Sequence, residues 1–296
     1  MDSIYLGLFK VFRFFIRSFP SFIVESFLNL LVVIVYKIDK KHRHVAKVNL
    51  DLAFENKKSE EEKALIIKAC YKNIVYSLAD FVRNQGANKD EILEKVTFKN
   101  EHYFQEVLDA GRKVILITAH YGNWELLSLS VAARFTPLSV VGRDLDSSVM
   151  NDILTANREQ FDVELLSKTG AMKGMMKALK SNRAVGILVD QNTTDDEGLL
   201  IDFFDKKARH TPSAAFLSRK FDALLVPAFI RTNDHKEYEV EFYEPFPTTN
   251  SENKDQDILE SVNKQAHITQ KAIEEKPDEW FWLHQRWKNQ YEELYK

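Results

Sequence analysis

Five short apolar runs, Lys113–Thr118, Leu138–Gly142, Val163–Leu166, Ala184–Val189 and Leu224–Ile230, alternate with stretches of helical periodicity. That alternation constrains the fold more than any other feature. A strand written almost continuously in Val, Ile and Leu has no solvent face, so layers must cover it on both sides. Helices between such strands supply the layers, which predicts an α/β fold: a mixed, largely parallel sheet flanked by helices. Tyr238–Phe242 (Y-E-V-E-F) alternates instead and reads as an exposed edge strand. Ser59–Asn84 reads as an amphipathic helix with Ser59 as N-cap and three glutamates in its first turn. Asp257–Glu275 reads as a late helix that Pro277 closes.

The 296 residues are 45% hydrophobic and 29% charged, which excludes a disordered chain and a polytopic membrane protein. A balance of 41 basic against 44 acidic residues argues against a nucleic-acid partner. The one cysteine, Cys70, excludes an internal disulfide framework and a multi-thiolate metal site, and fits a small core hydrophobe in its helix.

The charge is uneven, however. Residues 1–50 carry eight Lys/Arg against three Asp/Glu, leaving 33 against 41 for the other 246. Within this head, Lys10, Arg13 and Arg17 recur at helical spacing among Phe, Leu and Ile, a pattern suited to an anionic bilayer surface. From Ser18 to Tyr36 the only charge is Glu25. A membrane span needs about 20 apolar residues, and Pro20, Glu25 and Asn29 weaken one here. Asp2 and the interspersed charges argue against a signal peptide. Lys37, Lys40, Lys41, Arg43 and Lys47 follow, favouring anionic head groups or a cytoplasmic side. The reading is a membrane-associated N-terminal segment over 1–48, spanning or half-sunk, ahead of a single α/β domain over 49–296. A buried, Phe-rich core hairpin is the alternative.

Four familiar catalytic motifs are missing: G-x-S-x-G, the Walker A loop, G-x-G-x-x-G and H-E-x-x-H. The informative stretch is Lys113–Leu127, K-V-I-L-I-T-A-H-Y-G-N-W-E-L-L. A buried-type strand ends at Thr118, His120 follows at its carboxyl end, Gly122 and Asn123 turn the chain, and Glu125 opens a helix. Reactive sites in open α/β sheets gather at that end of the strands. Glu125 at this spacing can accept a hydrogen bond from one imidazole nitrogen and leave the other as a general base. The plainer alternative is a satisfied histidine and an acid at a helix N-terminus. Backbone N–H groups around Gly122 and Asn123 are candidate oxyanion donors. Arg143 and Arg158 follow the next strand, and Asp190-Gln191-Asn192 ends another apolar run. Asp202–Thr211 joins paired phenylalanines to Lys206, Lys207 and Arg209. Together these describe one crevice for an anionic, partly greasy substrate. Lys206, Lys207 and Arg209, like the juxtamembrane lysines, form a local basic patch on a chain whose body is acidic.

At these residues the chain resembles the late acyltransferases of lipid A biosynthesis, within the lysophospholipid acyltransferase superfamily. The resemblance runs from N-L-D-L-A-F (Asn49–Phe54) through H-x4-E at His120 and Glu125 to P-D-E-W-F-W-L-H-Q-R-W-K (Pro277–Lys288). Between them lie Arg143, Arg158, Asp190-Gln191 and F-F-D-K-K-A-R-H-T-P, in which Asp205 replaces the family's glycine. It implies an acyltransferase-type fold and transfer of a lauroyl or similar chain from acyl carrier protein to a hydroxyl of a Kdo-linked lipid A precursor. The site it implies is His120 and Glu125 with Arg158 and Asp190. Arg143, Arg158, Gln191, Arg209, His284 and Arg286 would lie around substrate phosphates or sugars, and Lys206 and Lys207 would dock the carrier protein. Arg158 would hold a phosphate or pair with Glu125. The resemblance implies no metal and no bound cofactor, and a place on the cytoplasmic face of a bacterial inner membrane. A lyso-phospholipid or glycolipid acyltransferase and a non-enzymatic membrane protein are the competing readings.

Overall fold

The computed structural model describes residues 2–142, 145 and 147–296, so Arg143 lies outside the described residues. The chain begins with three helices, α1 (Asp2–Ser18), α2 (Ser21–Ile38) and α3 (Lys40–Phe54). Pro20, which cannot continue a helix, separates the first two. The long α4 (Glu60–Asn84) starts with a capping box: Ser59 accepts from the Glu62 amide, and the Glu62 carboxylate accepts from the Ser59 amide.

The body then alternates as the sequence predicts: α5 (Lys89–Leu93), β1 (Val96–Lys99), α6 (His102–Asp109), β2 (Val114–Thr118), α7 (Trp124–Arg134), β3 (Leu138–Gly142), α8 (Ser148–Arg158), β4 (Val163–Ser167), α9 (Ala171–Lys180) and β5 (Ala184–Leu188). A hairpin, β6 (Leu199–Phe203) and β7 (Lys206–His210), precedes α10 (Ser213–Phe221), β8 (Leu224–Thr232), β9 (Tyr238–Phe242) and α11 (Lys254–Glu275). Seven strands form one sheet in the order β1-β9-β8-β2-β5-β3-β4. Every neighbouring pair is parallel except β8 with β9. The α/β, mixed and largely parallel fold is therefore the one observed.

Central β2 shows why its sequence had to be apolar on both faces. Val114 and Leu116 pack with Phe104, Leu126 and Leu127 of α6 and α7. Ile115 and Ile117 pack with Met175 and Leu179 of α9 and Leu217 of α10. The methionines of α9 are therefore ordinary packing. A third apolar cluster joins Val24, Leu28 and Val32 of α2 to α3, α4, the hairpin and the C-terminal tryptophans.

Two sequence expectations change. Tyr238–Phe242 lies inside the sheet, between β1 and β8, and four of its five residues are buried. Its alternating glutamates misled the reading. Glu241 pairs with Lys99 and Arg231, and Glu239 with Arg231, so the charges are met across the strands. The cationic stretch Asp202–Thr211 falls in the β6–β7 hairpin. Phe204 and Asp205, both at positive φ (53° and 57°), form its two-residue turn. That conformation favours glycine and tolerates aspartate better than most residues. The expected boundary at residue 48 falls inside α3.

Candidate active site

The site is assembled by two neighbouring parallel strands. β2 and β5 pair in register, Thr118 opposite Leu188, and the Val189 amide donates to the Thr118 carbonyl at 3.0 Å. The chain beyond each strand is thereby delivered to the same place, with His120 on one side and Asp190 on the other. One Asp190 carboxylate oxygen accepts from His120 Nδ1 at 2.9 Å. The other accepts from the His120 amide at 3.0 Å and from Trp280 Nε1 at 2.8 Å. Asp190 is 3% exposed. Burial alone would push its carboxyl up, but the facing charge of His120 and hydrogen bonds from His120 and Trp280 hold it at about 2. An ionised carboxylate can only accept, so Nδ1 carries a proton, and in the neutral imidazole the lone pair is on Nε2. The imidazole stands edge-on to Trp124 at 5.2 Å, near Phe281 at 6.3 Å, and its side chain is 21% exposed. It is thus rigid on the Nδ1 side and reachable from outside.

Glu125 does not take the role the spacing predicts. It opens α7 and faces Arg158, in the last turn of α8. Arg158 Nε donates to one oxygen at 2.8 Å and Nη2 to the other, a bidentate pair. Burial pushes the guanidinium pKa down, but the hydrogen bonds and charge of Glu125 raise it. A Cβ on Gly142 would lie 2.7 Å from Leu165 Cδ1 and 2.8 Å from Arg158 Nη1, so glycine leaves both side chains room without a shift. Two carboxylate pairs thus lie side by side at this site, and Asp190 is the partner of the histidine.

A model of the bacterial lipid A biosynthesis acyltransferase family matches residues 3–289. The chain belongs to that family. Lipid A biosynthesis acyltransferase 2 of Shigella flexneri is 19% identical over 269 residues, 90% of this chain and 84% of that protein. Lipid A biosynthesis lauroyltransferase of Escherichia coli (strain K12) is 22% identical over 254 residues, 84% of this chain and 80% of that one. Phosphatidylinositol mannoside acyltransferase of Mycolicibacterium smegmatis is 27% identical over 124 residues, 40% of each chain. Membership makes the chain an acyl-transferring enzyme.

In this lipid A acyltransferase-family chain, the remaining expected site residues divide by burial. Gln191 is at the centre, its side-chain nitrogen 3.2 Å from His120 Nε2. Gly122 and Asn123 shape the loop: at Gly122, φ +58°, a Cβ would lie 2.0 Å from the Ile230 carbonyl, so only glycine fits. Its amide donates to the Glu279 carbonyl at 2.9 Å and is not free for an oxyanion. Asn123 caps α7 through the Leu126 amide and donates to buried Asp80. His284 turns inward, its Nε2 accepting from the Asn192 amide at 3.0 Å, and burial pushes it down to about 4.

The cations expected at the substrate or the carrier are spent elsewhere. Arg286 is fully buried, donating to the Arg209 carbonyl and lying over the Phe203 ring, so it has no path to a phosphate. Arg209 pairs with Asp195, Lys206 with Glu55 and Lys207 with Asp202. The hairpin explains this: it turns Phe203 and Phe204 into the core and leaves its basic residues beside acidic neighbours. The basic dock expected at Lys206 and Lys207 is therefore neutralised, whereas Lys37, Lys40 and Lys41 stay exposed. Trp280 and Asp80 join the site only through the fold, by hydrogen bonds to Asp190 and from Asn123. Trp280 was visible only as part of the tryptophan-rich tail, and Asp80 as an ordinary helix acid. No cluster of His, Cys, Asp and Glu suited to a metal occurs among the described residues.

Proposed function

We propose that the enzyme transfers a fatty acyl chain from an acyl carrier protein thioester to a hydroxyl of a Kdo-linked lipid A precursor, with His120 as general base. The observation that carries the reading is the Asp190–His120 pair, which fixes one tautomer and turns Nε2 outward. An aliphatic hydroxyl is a poor nucleophile near pH 7 and needs its proton removed as it attacks. Nε2 takes that proton, and Asp190 steadies the imidazolium that forms. Collapse of the tetrahedral intermediate breaks the C–S bond, and the proton passes from Nε2 to the leaving thiolate. A thiol pKa near about 8.5 makes that departure easy. The Glu125–Arg158 pair ties the start of α7 to the end of α8 and so holds the wall of the site.

The acceptor is a lipid, and the N-terminal hairpin suits a bilayer surface. α2 is apolar enough to cross a membrane and only 17% buried, yet its sides are not equivalent. Val24, Leu28 and Val32 pack against the body, Glu25 pairs with Lys236 at 2.8 Å, and Tyr76 donates to Asn29 at 3.1 Å. The opposite side exposes Phe22, Leu30, Val33 and Ile34. Such a helix lies along the interface with its free face in the acyl region. The cytoplasmic face follows from where acyl carrier proteins act.

Wild type and His120→Ala, incubated with labelled acyl carrier protein and a tetra-acylated, Kdo-linked precursor, test the reading. Wild type should acylate the precursor, and the variant should lose about 10³-fold in rate. Wild-type turnover by a folded His120→Ala enzyme would remove the base. Acylation of phosphatidylinositol mannoside or lyso-phospholipid alone would replace the acceptor.

A further inference from the structure

Acyl transfer places negative charge on the carbonyl oxygen beside the base, and preorganised N–H donors there are worth more than any other single contribution. In this structure the amides of His120, Tyr121 and Gly122 are already engaged, and the Asn123 backbone amide at the start of α7 is the other donor on this loop. The His120 amide donates to Asp190, that of Tyr121 to the Ala119 carbonyl and that of Gly122 to the Glu279 carbonyl. Across the site, the Asn192 amide donates to His284, and the Asn123 carboxamide to Asp80. Gln191 differs. Its carboxamide is partly exposed and lies 3.2 Å from His120 Nε2. Nε2 offers a lone pair, so the amide donates an N–H to it. The nitrogen that must receive the hydroxyl's proton is thus capped in the free enzyme, and the cap occupies the hydroxyl's seat.

We propose that Gln191 is the oxyanion donor of this enzyme, a catalytic role distinct from the sugar or phosphate contact expected from its sequence. The inference rests on the acyl-transfer reading above. When the acceptor hydroxyl takes Nε2, it displaces the carboxamide by about the width of one hydroxyl group. The freed N–H then meets the thioester carbonyl. As the hydroxyl oxygen bonds to the carbonyl carbon, its proton goes to Nε2 and the carbonyl π pair moves onto oxygen, where Gln191 donates. The pair returns as the C–S bond breaks, and the thiolate takes the proton from Nε2. Asp190 and Gln191, adjacent in the chain, thereby serve the two nitrogens of one imidazole. Asp190 fixes Nδ1, while Gln191 reserves Nε2 and then stabilises the charge that Nε2 helps create.

The test compares Gln191→Met, Gln191→Glu and Gln191→His with wild type, using an acyl-pantetheine thioester and following released thiol with and without the lipid acceptor. Thermal melts confirm that each variant folds. Loss of the donor in Gln191→Met should lower kcat by about 100-fold with KM within about twofold. Gln191→Glu, nearly isosteric but carrying a charge that repels the oxyanion, should be slower still, and Gln191→His, which restores an N–H, should recover part of the rate. A role in packing alone would leave the isosteric glutamate close to wild type. Thiol release within about threefold of wild type in Gln191→Met or Gln191→Glu would overturn the proposal. Wild-type thiol release no faster than that of His120→Ala would overturn it together with the base. Gln191-dependent thiol release without acylation of the lipid A precursor would leave it standing and remove only the acceptor.

Discussion

The N-terminal hairpin and the strand-end site treat the same residue types in opposite ways. In α1 and α2 the large apolar side chains face outward: Val11, Phe14, Phe22 and Leu30 are each more than half exposed. Around His120 the rings of Trp280, Trp282 and Trp287 face inward, and the informative exposed groups are polar. The hairpin spreads a weak interaction over many side chains, each adding about 1.5–3 kcal/mol when it enters an apolar phase. The site concentrates its chemistry on one buried carboxylate and one imidazole. Damage to the first region should therefore be graded, and damage to the second abrupt.

The abrupt side is tested by contrasting the two carboxylate pairs. Asp190→Asn keeps the shape but lets the amide donate to Nδ1, which reverses the tautomer. Acyl transfer should fall by about 10³-fold or more with little change in melting temperature. Glu125→Gln leaves the Arg158 guanidinium, whose side chain is 18% exposed, without its counter-charge. It should lower stability by about 3 kcal/mol, read as the midpoint of denaturant unfolding, with a smaller direct effect on proton transfer. If Glu125→Gln abolished turnover at unchanged stability while Asp190→Asn stayed active, the roles assigned to the two acids would have to be exchanged.

The graded side comes next in size. Phe22→Glu combined with Leu30→Glu places two charges on the free face of α2. Binding to vesicles of phosphatidylethanolamine and phosphatidylglycerol should weaken by about 100-fold, measured by sedimentation. Melting should hardly change, because neither residue belongs to the core. A large loss of melting temperature with unchanged vesicle binding would show that the face is buried within the protein and not in lipid.

These two regions also differ in how far the sequence discloses them. β2, β5 and β8 are legible to within a residue or two because two-sided burial writes itself as an unbroken apolar run, while β3 and β4 show as short apolar runs between helical stretches. The hairpin is legible because Lys10, Arg13 and Arg17 keep helical spacing. Short β1 carries too few residues to show a period. The partner of His120 is the instructive failure. Local spacing offers Glu125, five residues away, whereas the observed partner is 70 residues away on the adjacent strand. Strand order decides that contact, and strand order is not written in local periodicity. The sequence puts Asp190 at a strand end and the resemblance adds it to the site, but its link to His120 requires β5 beside β2.

Acid separates the two regions by the smallest predicted effect. Burial pushes His210 down to about 3, and His235 and His284 down to about 4, so the fold holds all three neutral at mildly acidic pH. In the unfolded chain each takes a proton near about pH 6.5. Below that value the unfolded state binds protons that the native state refuses, so stability falls as pH falls, until the native histidines titrate near pH 3 to 4. From pH 7 to pH 6 each histidine costs about 0.7 kcal/mol, up to about 2 kcal/mol together. Asp190, held at about 2, contributes nothing in that window. Vesicle binding by the exposed apolar face of α1 and α2 does not involve these three histidines, so it should not change. Unfolding midpoints should therefore drop between pH 7 and pH 6 while vesicle affinity stays constant. His210→Asn should flatten the drop by about a third. A midpoint that does not fall on acidification, together with no flattening in His210→Asn, would remove the buried, neutral state assigned to these histidines.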